Sequence, residues 1–191
     1  MSFLSELKRQ KNKLKETETV VTNVDGKRFI EKGDERQNIA QSSYGFVVDT
    51  KPDDIPVMIV DYMYIGSQDC TTKAVIEKYN IKHVLSLGIN ITVSVDHEFV
   101  ECLDLPETDI RYLLKKSLSF IRKSVECKEN ILVHCNAGVS RTSTVAIAYL
   151  MQFERMSFDV AYHLVKEKRP AIQPNAGFRK QLKALSPGNV I

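Results

Sequence analysis

The chain has 191 residues, of which 43% are hydrophobic and 27% are charged, a composition typical of one globular domain with an appended segment. Its 27 basic and 24 acidic residues leave a net charge of +3, which is too small to indicate nucleic-acid binding. No apolar run approaches the roughly 20 residues of a membrane span, and the first residues lack the apolar segment of a secretory signal. We therefore expect an intracellular protein that binds neither nucleic acid nor membranes. Its expected place is the cytoplasm, and a nuclear location stays open as well.

Residues 1–50 differ in composition from the rest and are expected to form an N-terminal extension. Four apolar residues at helical spacing in a basic background predict a short amphipathic helix. They are Phe3, Leu4, Leu7 and Leu14. Two strand-like runs flank Asp25-Gly26, a dipeptide favoured in two-residue hairpin turns, and the polar residues 31–50 predict a linker. Two interpretations stay open, a solvated and partly flexible extension or a docking segment for a partner.

A compact domain is expected from residue 56 to 186, followed by a short tail at 187–191. Short apolar or alternating runs predict strands. They lie at 57–67, 81–88, 98–105 and 131–133. Helical periodicity predicts five helices between and after these strands. The first is capped by Thr71 or Thr72, the second runs from Ile110 after an Asp109 cap, and the others span 141–153, 157–169 and 175–185. This order predicts an α/β fold with a short, mixed, mostly parallel central sheet flanked by helices.

One predicted strand-to-helix junction carries a cysteine and an arginine, in "ILVHCNAGVSRTSTVAIAYLM" at residues 131–151. We call residues 135–141 the cysteine loop. A loop of this kind can direct its backbone N–H groups at a central point, and the following helix N-terminus adds its own unpaired N–H groups. Gly138 allows the tight curvature that this requires. The pattern predicts an anion-binding site with Cys135 at its base.

The two functional side chains fit attack on a phosphate monoester. The field of the loop favours the thiolate of Cys135, the form that acts as a nucleophile. The planar guanidinium of Arg141 can bind two oxygens of a phosphoryl group. The alternative, a core cysteine and a surface arginine, fits poorly because strand, glycine loop, arginine and helix coincide. We apply the core interpretation to the three other cysteines. They are Cys70, Cys102 and Cys127.

The same residues carry a resemblance to a known family. "HCNAGVSRT" at 134–142 fits the H-C-x5-R-[ST] signature of cysteine-based protein phosphatases, and "STVAIAYLM" resembles the dual-specificity branch. "MYIGSQDCTTKAVIEKYNIKHVLSLG" at 63–88 and "RPAIQPNAGFRKQL" at 169–182 are similar to the entry and closing segments of that branch. Over about residues 56–186 the chain thus resembles a small, atypical dual-specificity phosphatase. The resemblance implies the fold of that family and an enzyme that needs no cofactor and no metal.

The resemblance also implies roles for individual residues. Cys135 would be the nucleophile, Arg141 would bind the phosphate in ground and transition states, and the Thr142 hydroxyl would help the sulfur leave. His134 would help to keep the thiol ionised, and Asn175 would support the loop from the next shell of residues. The loop residues whose amides would bind phosphate oxygens are Asn136, Ala137, Gly138, Val139, Ser140 and Arg141.

A phosphatase of this kind also needs a general acid for the leaving oxygen. The stretch "LDLPETDI" offers three candidates, Asp104, Glu107 and Asp109. Asp104 is favoured because it ends a predicted strand and aligns with the acid of the family. The other two are expected to be solvated turn or cap residues.

The loop composition and the resemblance together point to a class of substrate. Phosphoinositide phosphatases of this superfamily tend to carry lysines where this loop has Asn136 and Val139, and the tyrosine-specific branch carries a tryptophan that this chain lacks. We expect hydrolysis of phosphotyrosine and phosphoserine or phosphothreonine in proteins, with MAP kinases or their upstream kinases as partners implied by the family. The alternative is a catalytically weak scaffold or phospho-binding module of the same fold; phosphate on lipid or at an RNA 5′ end fits the charge less well.

Overall fold

The computed structural model describes residues 19–22, 27–32, 35–42 and 53–191, in a chain that divides into the units Met1–Ser42 and Ser43–Ile191. The predicted amphipathic helix with Phe3, Leu4, Leu7 and Leu14 lies outside the described residues. The first unit holds an antiparallel sheet of three strands in the order β1-β2-β3. These strands are β1 (Thr19–Thr22), β2 (Lys27–Lys32) and β3 (Glu35–Ser42).

The antiparallel pairing of β1 with β2 confirms the hairpin predicted around Asp25-Gly26, and the turn itself lies outside the described residues. The linker prediction was wrong in part. Strand β3 lies within the predicted linker 31–50. Its sequence, "ERQNIAQS", carries no apolar alternation, so only backbone pairing with β2 makes it a strand.

The second unit alternates strands and helices around one sheet. Its strands are β4 (Val57–Val60), β5 (Met63–Gly66), β6 (Ile81–Leu87), β7 (Asp96–Val100) and β8 (Asn130–His134). A 3-10 turn spans Gln68–Thr71. The helices are α1 (Lys73–Lys78), α2 (Arg111–Glu126), α3 (Arg141–Phe153), α4 (Phe158–Lys168) and α5 (Ala176–Lys183). The strand order is β4-β5-β8-β6-β7, with only the β4–β5 pair antiparallel, which confirms the predicted mixed, mostly parallel sheet.

Strand β8 occupies the centre of this sheet. It pairs in parallel with β5 on one side and β6 on the other, and Ile131, Leu132 and Val133 are fully buried, as a parallel strand covered on both faces requires. His134 at its carboxyl end lies beside Gly66 of β5 and Ser86 of β6. Three strands therefore end together at the residue before Cys135, the edge at which α/β folds bind ligands.

Helix α3 follows the cysteine loop, and its bounds are the predicted ones. Every residue from Arg141 to Met151 is buried, which explains why its sequence is apolar nearly all round. Because the helix is packed on all sides, its first turn, and with it the end of the cysteine loop, is fixed by the core.

Three predicted boundaries shifted. The strand predicted at 98–105 ends at Val100, because Val100 pairs with Leu87, the last residue of β6, and no strand continues beside residues 101–105. The cap of α2 is Ile110 rather than Asp109, although the Asp109 carboxylate accepts a hydrogen bond from Arg111 N at 2.9 Å. Asn175 is the N-cap of α5 rather than its first residue, and the helix ends at Lys183.

A chain of hydrogen bonds crosses the sheet below the cysteine loop. His134 Nδ1 lies 3.4 Å from the Cys135 carbonyl, His134 Nε2 lies 2.7 Å from Ser86 Oγ, and that hydroxyl lies 2.8 Å from His97 Nε2. Because a carbonyl only accepts, Nδ1 of His134 carries the proton and the Ser86 hydroxyl donates to its Nε2. Burial lowers the pKa of the fully buried His134 to about 3, so this ring is neutral at physiological pH.

Truncation of the α3 core tests the packing that fixes the loop. Ile147 is fully buried, whereas Ile55 is 60% exposed. We expect Ile147→Ala to lower the free energy of unfolding by about 2–5 kcal/mol, and Ile55→Ala, the same chemical change, by less than about 0.5 kcal/mol. Urea denaturation measures both, and equal losses would contradict the assignment of α3 to the core.

Neutral burial of His134 predicts a specific pH dependence of stability. An unfolded histidine has a pKa of about 6.5, and the folded pKa is lowered to about 3. The unfolded state therefore takes up the proton first, so stability is complete above about pH 6.5 and is lost as the pH falls towards 3. This loss amounts to about 1.4 kcal/mol per pH unit for one fully coupled group.

We expect His134→Asn to remove that slope, which urea denaturation at about pH 7, 6 and 5 would measure. The exposed His163 provides the matched control, and His163→Asn should keep the slope of the wild-type protein. Parallel pH profiles for wild type and His134→Asn would show that His134 is not neutral in the fold.

Candidate active site

The candidate site lies at the carboxyl end of β8, where the cysteine loop leads into α3. Cys135 follows the strand directly and is 2% exposed, with a free thiol. The parallel strands on both sides place it at the centre of the sheet edge. This position is the one that the sequence predicts for the base of an anion site.

The carbonyl oxygens of the loop are all occupied. Those of Ala137 and Gly138 accept from Arg169, at 3.4 and 3.1 Å. Asn136 O accepts from Gln68 N at 2.9 Å. Val139 O accepts from Gln173 N and Ser143 Oγ, and Ser140 O accepts from Thr144 N and the same Ser143 hydroxyl. Each peptide of the loop is thereby held with its oxygen directed at a partner in another element or in α3.

The backbone amides of the same loop, unlike its carbonyls, have no hydrogen-bond partner from Ala137 to Arg141 among the described residues. In a planar trans peptide the N–H points away from the C=O, so fixing every carbonyl outward turns the amides to the other side. These amides, with the N-terminus of α3, form the donor set that binds phosphate in proteins.

Gly138 is required at its place by two constraints. Its φ is +66°, a region that residues with a Cβ atom rarely occupy. A Cβ atom there would also lie 2.5 Å from the carbonyl oxygen of Gly66 at the end of β5. The loop thus packs backbone to backbone against the sheet, in agreement with the curvature expected from the sequence.

Arg169 is a site residue that the sequence reasoning missed. We predicted it only as a last-turn residue of α4, but its side chain is 5% exposed and its guanidinium forms an ion pair with Asp53, with Nη2–Oδ2 at 3.0 Å. The same guanidinium donates to the two loop carbonyls. A planar group with five donors can serve a carboxylate and two carbonyls together. The available signal was the position of Arg169 before Pro170, at the start of the segment 169–182 that resembles the family.

Arg141 is buried beside the loop with most of its donors unused. Its Nη1 donates to Cys102 O at 3.3 Å, while Nε and Nη2 have no hydrogen-bond partner. A Cβ atom on Gly88 would lie 2.0 Å from Nη1, so this glycine, also missed from the sequence, makes room for the side chain. Buried donors without partners are costly, and an anion of two or more oxygens is the group that would satisfy them.

Asp104 reaches the loop through a small hydrogen-bond network. Its Oδ1 accepts from Ser140 Oγ at 2.7 Å and from Asn175 Nδ2 at 2.8 Å. Its Oδ2 has no hydrogen-bond partner and lies 3.9 Å from Arg141 Nε. Glu107 and Asp109 are exposed, so Asp104 is the carboxylate of this stretch that the fold brings to the site.

Asn175 holds the network to α5. Its Oδ1 caps the helix by accepting from Phe178 N at 2.9 Å, and its own N–H donates to Ser140 Oγ at 3.1 Å. It therefore contacts both the loop and the candidate acid. The Ser140 hydroxyl, which the sequence reasoning treated only as part of the loop backbone, is the centre of this network.

The other predicted site residues are placed as follows. Thr142 is fully buried, and its hydroxyl has no hydrogen-bond partner; its contact with the sulfur stays a prediction. His134 donates to the Cys135 carbonyl as a neutral ring; its role in keeping the thiol ionised stays a prediction, and one that a positive charge on this ring does not support.

The remaining cysteines differ from one another. Burial raises the pKa of Cys70 to about 11 and that of Cys102 to about 12, as expected for inert core thiols. Cys127 is exposed, so the core interpretation was wrong for it, because α2 ends one residue earlier and this position lies on its open end.

The described part of the chain holds neither a candidate metal site nor a candidate membrane span. Within residues 19–22, 27–32, 35–42 and 53–191, no group of three or more His, Cys, Asp or Glu residues could hold a metal ion. In these same ranges no helix has the length and apolarity needed to cross a membrane.

Comparison with known proteins gives the family. The model of the dual specificity phosphatase catalytic domain matches residues 63–186. Mouse dual specificity protein phosphatase 19 is 33% identical over 182 residues, which cover 89% of this chain and 83% of that protein. Dictyostelium discoideum MAP kinase phosphatase with leucine-rich repeats protein 3 is 37% identical over 139 residues, 67% of this chain but 16% of that protein.

A solved structure extends the comparison to the fold. The human tyrosine phosphatase-like serine/threonine/tyrosine-interacting protein superposes with a TM-score of 0.64 at 27% identity, over 68% of this chain and 93% of that one. The family match includes β5 to α5, and with them the cysteine loop, Asp104 and Asn175. The chain belongs to the dual specificity phosphatase family and is a dual-specificity protein phosphatase.

Proposed function

We propose that this phosphatase hydrolyses phosphotyrosine and phosphoserine or phosphothreonine in proteins through a cysteinyl-phosphate intermediate. The observation that supports the mechanism is the orientation of the peptide groups in the cysteine loop. Its carbonyls are all bonded elsewhere, and its amides from Ala137 to Arg141 donate to no described residue. A thiol at the base of such a donor set faces the phosphorus of a bound phosphate.

In the first step, the Cys135 thiolate attacks phosphorus as the bond to the leaving oxygen breaks. The loop amides and the unused Nε and Nη2 donors of Arg141 bind the equatorial oxygens, on which negative charge is spread. The leaving oxygen takes a proton from Asp104. Its Oδ2 is the suitable atom, because Oδ1 already accepts two hydrogen bonds.

In the second step, water attacks phosphorus and the sulfur leaves as thiolate. The Asp104 carboxylate, now deprotonated, accepts the proton from the attacking water. The Thr142 hydroxyl is assigned to donate to the departing sulfur. Inorganic phosphate is released, and both Cys135 and Asp104 return to their starting protonation states.

The substrate class follows from charge. No lysine occurs in the loop, where Asn136 and Val139 stand, so the site offers one fixed cation, Arg141, for one phosphate group rather than several for a multiply phosphorylated lipid. One relative is named a MAP kinase phosphatase, and we propose phosphorylated MAP kinases or their upstream kinases as substrates. The name of the human structural neighbour, "tyrosine phosphatase-like", keeps a phospho-binding role as the alternative.

Removal of the nucleophile tests the covalent mechanism. We expect Cys135→Ser to abolish hydrolysis of p-nitrophenyl phosphate, by more than about 10³-fold, because a serine hydroxyl stays protonated. Vanadate should still bind, since the amides and Arg141 remain. Unchanged turnover would refute the mechanism, and vanadate binding without turnover in the wild-type protein would establish the phospho-binding alternative.

Neutralising Asp104 tests the general acid. Asp104→Asn keeps the Oδ1 acceptor for Ser140 and Asn175 but removes the proton. We expect kcat to fall by roughly 10²-fold or more for phenyl phosphate, whose leaving group needs the proton, and much less for p-nitrophenyl phosphate.

The exposed Asp109 gives the matched control for this change. Asp109→Asn should leave both rates within about twofold. An equal fall for both substrates in Asp104→Asn would assign Asp104 to loop positioning and not to proton transfer.

A further inference from the structure

A second concave surface lies between α4 and α5, outside the catalytic residues. This α4–α5 pocket has a volume of about 490 Å³. Its floor is aromatic, with Phe158 and Tyr162 of α4 stacked at a centroid distance of 5.8 Å. Its α5 side is basic, with Arg179, Lys180 and Lys183 on the pocket wall.

The charge of the pocket is not neutralised by the protein. Lys183 Nζ lies 3.9 Å from Asp159 and 5.1 Å from the centre of the Phe158 ring, so this cation is partly used. Arg179 and Lys180 are exposed and form no ion pair with any residue in the described ranges. Two free cations over an aromatic surface favour a partner with anionic and apolar groups.

The pocket is connected to the catalytic residues through α5. Asn175, which caps this helix, contacts Asp104 and Ser140, and the pocket wall begins at the next residue, Ala176. At about 1.5 Å per helical residue, Arg179 and Lys180 lie roughly 6–8 Å further along the axis. A peptide extended at about 3.3 Å per residue covers these 6–8 Å in about two to three residues, and the further distance from Asn175 to a phosphate in the cysteine loop widens the expected spacing to about two to five residues.

We propose that the α4–α5 pocket binds an acidic segment of the substrate protein, with Asp, Glu or a second phosphorylated side chain placed two to five residues from the residue being dephosphorylated. This rests on the proposed function, because it assigns the substrate's flanking segment to the same reaction. Arg179 and Lys180 bind the acidic groups, and Phe158 and Tyr162 contact an apolar side chain of that segment.

A peptide fits the pocket better than other polyanions. A membrane surface or a nucleic acid binds through a broad basic face, whereas the whole chain carries a net charge of only +3 and the pocket holds an acidic residue, Asp159. Concave shape and aromatic floor select for side chains. Anionic vesicles are nevertheless part of the test.

The test compares two phosphotyrosine peptides on the full chain. One carries aspartates at two to five residues from the phosphotyrosine on both sides, and the other has asparagine at those places. We expect wild type to prefer the acidic peptide in kcat/KM by roughly two- to thirtyfold, as two exposed ion pairs give. The preference should act through KM and weaken at about 0.5 M salt.

The double variant Arg179→Glu/Lys180→Glu should lose that preference while its kcat/KM for p-nitrophenyl phosphate stays unchanged. The control Lys115→Glu/Lys116→Glu makes the same charge change at two exposed positions of α2 and should keep the preference. A preference that survives in Arg179→Glu/Lys180→Glu, or is absent from wild type, overturns the docking proposal.

Two further outcomes separate this inference from its alternatives. If wild type fails to hydrolyse p-nitrophenyl phosphate, the proposed function fails first and the pocket cannot be credited with substrate selection. If phosphatidylserine vesicles bind wild type but not Arg179→Glu/Lys180→Glu, while neither peptide is preferred, the pocket serves a membrane surface and the peptide proposal is wrong.

Discussion

The site depends on the hydrogen bonding of the cysteine-loop carbonyls. A free loop of seven residues could turn its peptide groups either way, and an anion site requires its amides on one side. Arg169 fixes two carbonyls, and backbone groups near residues 68 and 173 fix two others. The donors come from elements well separated in the chain, so the tertiary fold decides which way the peptide groups of the loop point. The end of β8 and the start of α3 then place Cys135 and the helix N-terminus beside the loop amides.

The two buried charged side chains of the site, Arg141 and Asp104, lie close together but do not bond directly to each other. Arg141 is fully buried, and the Asp104 carboxylate lies 3.9 Å from its Nε without a hydrogen bond between them. Asp104 is instead held by the neutral donors Ser140 and Asn175. A directly bonded ion pair would use the donors of the guanidinium and the oxygens of the carboxylate. Here the guanidinium and the carboxylate each keep unused polar atoms for a ligand.

Neutral His134 fits this arrangement. A positive ring beside the thiol would add a second cation where Arg141 already lies, and burial of a charge inside the sheet is expensive. The hydrogen bonds that link His134 through Ser86 to His97 fix which nitrogen of the His134 ring carries the proton. What the neutral ring offers Cys135 is a hydrogen bond to its carbonyl and not a charge. This connects the centre of the sheet, β6 and β7 included, to the geometry of the loop.

The sequence by itself determined most of the secondary structure around the site and which cysteine and arginine lie there. Strand β8 and helix α3 were predicted from apolar runs, and "HCNAGVSRT" joins them, because a short loop between a buried strand and a buried helix leaves few conformations. Asn175 was implied by the family resemblance, and Asp104 was favoured by that resemblance together with a strand predicted to run further than β7 does. Only the tertiary structure showed that four further residues belong to the site: the Ser140 side chain, Arg169, Asp53 and Gly88. Their partners at the site lie 31 or more residues away in the chain. Contacts of that range leave no periodic trace in a sequence; they exist only after the sheet has brought its strand ends together.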